Sequence, residues 1–447
     1  MKVFPTLQTD ASWQRALQLL ADGETVAAEL LFDRLLRKHR DHPDVLCQLA
    51  ALAHRRGDSS RAIDALTRAR VGRASDSGIA VDLGIALANE GRAEEAESHL
   101  QAAVELDPTN ATGWLTLGRL RELRGAPDEA QGAWTKALGI AQRAGDWLDD
   151  GTTPPDWRPL VRHAATQVRR HRRALYFGAY ESLRAAHGSA GLARVDHAVR
   201  AHLRELVDRP ADSMQRPRFL YFPGLPQTPF MDPLLQPWAR TLAAAFEAIR
   251  EDALRVMSEN QRLPNFIDPP AGGVADAYVG GDGPDPSWQA YFFWRHGERV
   301  DASHERCPRT SAVLESLELC RIAGETPEIL FSVLRPGTHI KPHHGVTNVR
   351  SVMHLPLVAP PDCALRLVDR GDHAWREGEL LLFDDTYLHE AWNRSAQTRI
   401  VLLMDCWNPH LSAVEKQALV RLIEAIGGLH RSATAGGSTA PMGVLHD

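Results

Sequence analysis

Apolar positions in the first third of the chain recur with a period far longer than one helical turn. Gly23, Gly57, Gly91 and Gly125 are each 34 residues apart, and Ala28, Ala62, Ala96 and Ala130 keep the same interval. Phe32, Leu66, Leu100 and Trp134 hold it too, as do Leu49, Leu83 and Leu117, the last two followed by Gly84 and Gly118. The pattern predicts helix pairs, each broken by a glycine, with a small residue five positions later where the helices cross. Residues 157–209 then show apolar residues at helical spacing, as in "RALYFGAYESLRAAH". From about Arg216 the texture changes to short apolar runs bounded by Gly, Pro, Asn and Asp. "WQAYFFW", "EILFSVL", "VRSVMHLPLV", "ALRLV", "GELLLF", "HEAW" and "TRIVLLMDCW" follow one another, the signature of an antiparallel sandwich or barrel of the jelly-roll type. "LLQPWARTLAAAFEAIREDALRVM", ahead of them, predicts one helix packed outside the sheet.

The thirty-four-residue register resembles the tetratricopeptide repeat, with Pro108 of "ELDPTN" at the end-of-repeat proline. Four copies over about residues 8–142 imply a right-handed superhelix with a concave face suited to a peptide strand or helix. The expected organisation is a repeat domain over 1–145, a linker ("DWLDDGTTPPD") and bridging helices over 146–215, a jelly-roll domain over 216–430 and a flexible tail over 431–447.

Composition changes this picture little. Lys and Arg number 51 against 57 Asp and Glu, a net charge of −6 that argues for no nucleic-acid partner. The basic run Arg169–Arg173 reads as a solvated helix face. Five scattered cysteines without a C-x-x-C spacing indicate neither a disulfide framework nor a thiolate zinc site. Met1–Asp10 has no apolar core of a signal peptide, and no run approaches a membrane span. The expectation is a reduced, cytoplasmic protein with no membrane insertion.

The chemistry concentrates in "HIKPHHGVTNVRSVMHLPL", His339–Leu357, which holds four histidines. His343 follows Pro342 at the mouth of a loop, and His389 opens "HEAW" after the turn "DDTY". Jelly-roll enzymes take metal-binding histidines from such strand ends. Arg399, ten residues on, enters a strand that is otherwise apolar on both faces. A guanidinium there needs an anion, and a dicarboxylate co-substrate supplies a bidentate partner. His339, His344 and His373 read as loop or surface residues, and Asp384 as a turn cap.

These motifs together resemble the aspartyl/asparaginyl β-hydroxylases, an iron(II)- and 2-oxoglutarate-dependent dioxygenase family, over about residues 216–415. Some members also carry a tetratricopeptide module in front. The resemblance implies a double-stranded β-helix in which His343 and His389 hold Fe(II) with no protein carboxylate, Gly345 standing in place of the usual acid. It implies that Asp385 holds a metal-bound water by a hydrogen bond, and that 2-oxoglutarate meets Ser332, His354 and Arg399. Trp288 then lines the substrate mouth and Arg350 meets the substrate. Members acting on aspartyl side chains can carry Arg-x-Arg before "MHL"; here Arg350 remains and Val352 stands in the second place.

The implied reaction hydroxylates an unactivated carbon, such as the β-carbon of Asp, Asn or another residue in a peptide or protein reached through the repeats. Three rivals stay open. One is a small-molecule or lipid acyl hydroxylase; another is a halogenase, since Gly345 leaves room for chloride; the third is a non-enzymatic repeat adaptor with an inactive barrel.

Overall fold

The computed structural model describes residues 4–259, 263–266 and 278–434. The expected tail over 431–447 lies almost entirely outside the described residues. Contacts divide the chain into two units, Met1–Arg172 and Arg173–Asp447.

The first unit opens with four helix pairs: α1 (Ala11–Ala21) with α2 (Thr25–Lys38), α3 (Pro43–Arg55) with α4 (Ser59–Gly72), α5 (Ser77–Asn89) with α6 (Ala93–Leu106), and α7 (Ala111–Leu123) with α8 (Pro127–Arg143). Each pair is broken at its repeat glycine. Gly23, Gly57, Gly91 and Gly125 all have φ between +76° and +81°, a left-handed conformation that a residue with a Cβ adopts only at a cost. The expected alanines are buried, but the tightest crossing is elsewhere. A Cβ on Gly84 would lie 2.6 Å from Leu100 Cγ, and one on Gly118 would lie 2.5 Å from Trp134 Cδ1. The bulky residue of one helix thus sits directly on the glycine of its partner. In the first two repeats the equivalent positions are Ala16 and Ala50, both buried.

The stretch 146–156 is a packed turn. Thr152 and Asp149 bond to each other, and Trp147 and Thr153 are buried. Helix α9 (Arg158–Ala179) runs through the contact boundary. Its Val161, Ala164 and Val168 share a core with Trp134 and Trp147 of the first unit. Tyr176 belongs to a core of the second unit with Leu419 and Leu422.

Unit two adds α10 (Glu181–His187), α11 (Ala193–His202), α12 (Ala239–Ala244), α13 (Phe246–Ser258), α14 (Asp301–Arg306), α15 (Pro308–Glu315) and α16 (Ala413–Thr434). The single helix expected before the strands is two, because Ala245 at φ −88°, ψ 4° leaves the helical region between α12 and α13.

The strands are β1 (Phe230–Met231), β2 (Val279–Gly281), β3 (Trp288–Arg295), β4 (Glu298–Arg299), β5 (Ile329–Leu334), β6 (Thr338–His343), β7 (Arg350–Val358), β8 (Cys363–Leu367), β9 (Gly371–Ala374), β10 (Leu381–Phe383), β11 (His389–Asn393) and β12 (Arg399–Trp407). They form two antiparallel sheets, ordered β1-β10-β7-β12-β5-β3-β4 and β2-β6-β11-β8-β9. All seven expected runs are strands.

The larger sheet is buried on both faces, which explains its near-continuous apolar runs. Phe331, Val333, Met353, Leu355, Leu402 and Met404 face a core shared with Ile249, Ala253 and Val256 of α13. Their neighbours in sequence face the space between the sheets, where Trp288, Leu334, Val352, Leu365 and Phe383 pack. Charged or polar residues on that inner face therefore stand out as a site.

Candidate functional site

His343 was expected at the mouth of a loop; it is the last residue of β6 and pairs directly with His389 of β11. How it faces inward depends on a bulge. Ile340 pairs with Ala391 and His343 with His389, so three residues of β6 span two of β11. Without the extra residue, Pro342 would share the inward face of Ile340. With it, parity flips, and both Ile340 and His343 line the cavity between the sheets. Pro342, which lacks an N–H for a ladder, fits at such an irregularity.

The two imidazole rings lie 4.1 Å apart, centroid to centroid. His343 Nδ1 is 2.8 Å from Lys341 O, and His389 Nδ1 is 2.9 Å from Tyr387 O. A carbonyl accepts only, so each Nδ1 carries the hydrogen and each Nε2 keeps its lone pair. Burial pushes both pKa values down, and at His389 the neighbouring His343 adds to it. The pair is neutral, and both rings line one cavity. Among the described residues no group of three or more His, Cys, Asp or Glu is arranged to hold a metal.

Position 345 favours glycine for a visible reason. A Cβ there would lie 2.1 Å from Asp385 Cγ and within 2.3 Å of both carboxylate oxygens. Asp385 thus fills the space a side chain at 345 would take. Its backbone oxygen also accepts from the Gly345 N–H at 2.6 Å. Oδ1 of Asp385 is buried without a hydrogen-bond partner among the described residues, and burial pushes the carboxyl up to about 7 although Arg350 lies 3.8 Å away. Asp384 has the expected capping role, accepting from Thr386 N at 2.9 Å and from Gln215 Nε2 at 2.8 Å.

At the other end of the cavity is Arg399, 2 % exposed. Its Nη1 reaches Ser332 O and Oγ, both at 3.3 Å, and its guanidinium lies 4.7 Å from the Trp375 ring centroid. Among the described residues no carboxylate pairs with it, and its Nε is buried without a partner. Burial alone pulls its pKa down to about 10. Ser332 Oγ also accepts from Trp288 Nε1 at 2.9 Å, so Trp288 is tied to the Arg399 end of the cavity. Its ring stacks on Phe266 at 4.2 Å.

His354 of β7 stands beside them. Its Nδ1 accepts from Trp375 Nε1 at 3.3 Å, which puts the ring hydrogen on Nε2. That Nε2 is buried without a partner, and burial with the nearby Arg399 lowers the pKa to about 3. His354 is therefore a neutral donor beside an unpaired cation.

Arg350 opens β7, with Val352 and His354 following on the same inward face. It forms an ion pair with Asp405 of β12. Burial works against its charge, but Asp405 and then Asp385 hold its pKa above the ordinary value. The expected site residues thus share one cavity, with Arg399 at one end and Arg350 at the other. His339 lies apart, paired with Glu390 at 2.7 Å, and His344 bonds to Thr386 O at 2.9 Å.

Among the lining residues that escape the sequence reading are Trp375, Asp405 and Glu328. Asp405 carried a signal: it is the second charged residue, after Arg399, in the apolar run "TRIVLLMDCW". Trp375 lies past the end of β9 and no periodicity marks it.

Residues 243–409 match the model of the aspartyl/asparaginyl beta-hydroxylase family, which bears out the resemblance read from the motifs. The chain is 32% identical over 236 residues to the aspartate beta-hydroxylase domain-containing protein 2 of Rattus norvegicus, covering 52% of this chain and 65% of that one. It is 34% identical over 136 residues to the human aspartyl/asparaginyl beta-hydroxylase, covering 30% and 17%. It is 32% identical over 192 residues to the ornithine lipid ester-linked acyl 2-hydroxylase of Rhizobium tropici, covering 42% and 64%. The match therefore spans less than two thirds of each of these relatives. Among solved structures, MamA 41-end from Desulfovibrio magneticus RS-1 aligns at 21% identity and a TM-score of 0.29, covering 30% of this chain and 76% of that one. No helix among the described residues is long and apolar enough to cross a membrane.

Proposed function

We propose, from a barrel that matches the aspartyl/asparaginyl β-hydroxylases, that this protein is an Fe(II)- and 2-oxoglutarate-dependent dioxygenase hydroxylating an unactivated carbon. The carrying observation is Arg399, a buried guanidinium with no carboxylate partner among the described residues. A buried cation of this kind is stable only when an anion completes it.

The residues present fit both groups. Two neutral imidazoles with Nδ1 tied to carbonyls suit a metal with borderline affinity for nitrogen, and few protein ligands leave positions for a chelating co-substrate and dioxygen. Arg399 with Ser332 would take the distal carboxylate of 2-oxoglutarate, and His354 would donate Nε2–H to an oxygen of the co-substrate nearer the metal. When bound, iron and 2-oxoglutarate supply the oxidising power, coupling loss of carbon dioxide to insertion of one dioxygen-derived oxygen into a C–H bond.

The chain's own residues orient and shield. Trp375 fixes the His354 tautomer and covers the face of Arg399. Trp288, Ile340, Leu365 and Phe383 exclude water. Asp385, filling the space beside Gly345, would hold a metal-bound water through its unpartnered Oδ1. A carboxyl group in that space also disfavours the halogenase reading, because it crowds a chloride.

A second reading keeps the chemistry and changes the substrate to a lipid acyl chain. The Rhizobium tropici relative favours it. For the repeats we favour a peptide or protein partner, since an extended helical-repeat surface recognises chains over many residues. Five free cysteines, four of them buried, fit a reducing compartment such as the cytoplasm.

The test compares His343→Ala, His389→Ala and His344→Ala. Calorimetric titration of Mn(II), as a stand-in for Fe(II), and succinate formation are both expected to vanish in the first two. His344→Ala is expected to keep most of each. Full metal binding in the His389 variant refutes the assignment.

A further inference from the structure

We infer that the end of the barrel opposite Arg399 accepts an uncharged or cationic hydrogen-bond donor, an amide or an ammonium, and turns away a carboxylate. This rests on the hydroxylase reading and names the substrate class that site selects.

Charge at this end is already balanced or negative before any substrate arrives. Arg350 is its only cation lining the cavity among the described residues; the other arginine of the lining is Arg399, at the far end, and no lysine lines it. Arg350 is committed to Asp405, whose Oδ1 it contacts. The other oxygen of Asp405 is also taken, accepting from Thr326 Oγ1 and Glu328 N, each at 2.9 Å. The guanidinium and carboxylate of this pair therefore cancel in place.

Asp385 stands 3.8 Å from Arg350 with one buried oxygen unpartnered, and Glu328 lines the same end. Glu328 Oε1 accepts from the His296 N–H at 2.6 Å and lies 2.8 Å from His296 Nδ1. Protonated or not, Asp385 adds no positive charge, so a substrate carboxylate finds no uncompensated cation. Val352, between Arg350 and His354 on the inward face, offers it none either. Arg218 is exposed and outside the lining. What the end does offer is a buried acceptor, Asp385 Oδ1, whose two lone pairs leave one for a substrate N–H beside the water assigned to it above.

The test uses the full chain with Fe(II) and 2-oxoglutarate, read by succinate release. Succinate formed without any added probe tests the hydroxylase reading by itself. Three probes then test the charge preference: N-acetyl amides of Asp, Asn and Lys. The Asn and Lys amides are expected to alter the succinate rate at concentrations about tenfold below those the Asp amide needs, the scale of one unfavourable like-charge contact. Val352→Arg, which adds a cation to the lining, is expected to reverse that order. Asp405→Asn, which releases Arg350 from its partner, provides a second route to the same reversal should the first variant fold poorly. An Asp amide preferred by the natural protein, or an equal response to all three including none, overturns the inference while leaving the probe-free succinate result standing.

Discussion

Replacing Gly345 with alanine tests the geometry that most distinguishes this site. The added Cβ falls 2.1 Å from Asp385 Cγ and 2.2–2.3 Å from its oxygens, where ordinary contact begins near 3.4 Å. The carboxylate must retreat by more than an ångström. Separation of the backbones would relieve the clash only by breaking the 2.6 Å bond from Gly345 N to Asp385 O. Overpacking of this kind costs about 1–3 kcal/mol. The protein has two units, so a single melting curve mixes them; hydrogen exchange of peptides covering 340–346 and 381–389 reads the affected strands directly. Gly345→Ala is expected to lower protection in both segments. Asp385→Ala in the same chain removes the clashing atoms, so the double variant should recover about 1–3 kcal/mol relative to the sum of the two single changes. Full protection in Gly345→Ala, or strict additivity in the double variant, refutes the claim that Asp385 occupies the space of a side chain at 345.

Further expectations follow from the same cavity. Arg399→Ala removes the partner of a buried carboxylate, so 2-oxoglutarate affinity should fall by about 3–5 kcal/mol while Mn(II) binding in calorimetry is kept. Trp375→Phe retains a ring over Arg399 but deletes the N–H that fixes His354; a weaker 2-oxoglutarate affinity with a smaller loss than Arg399→Ala is expected, and an unchanged affinity would show that the tautomer is set by other means. Asp385 has a folded pKa raised from 3.8 to about 7 by burial, so the folded protein binds the extra proton between those values. Its contribution to stability is therefore present at low pH and lost as pH rises from about 4 to 7; metal-free Asp385→Asn should be favoured over the natural protein increasingly across that window, by up to a few kcal/mol in hydrogen-exchange protection of 381–389. Removing the repeats should leave succinate formation without substrate near normal and weaken hydroxylation of a long peptide. Residue 172 is the better cut than 145, because Val161 and Val168 pack with Trp134 of α8.

Much of this protein is legible along its chain, for identifiable reasons. A repeat writes the same contacts four times, so its register is visible without coordinates: the glycines that φ demands and the buried Ala and Leu positions recur every 34 residues. The seven apolar runs of the barrel were legible because both faces of the larger sheet are buried, which leaves long apolar stretches between turns. Arg399 announced itself as a charge within such a stretch, and the family motif added His343, His389, Ser332 and His354. Other features depend on which strands meet. β6, with Lys341, Pro342 and two histidines in six residues, does not look like a strand; it becomes one because β11 and β2 supply partners on either side. The bulge that turns His343 inward exists only in that pairing. Trp375 reaches His354 and Arg399 across a gap of more than twenty residues in each direction, and Asp405 neutralises Arg350 from 55 residues away. Sequence periodicity reports which face of an element is buried. It carries no information about which buried charges cancel, because cancellation is a distance between strands, and that distance is set by the register of the sheet.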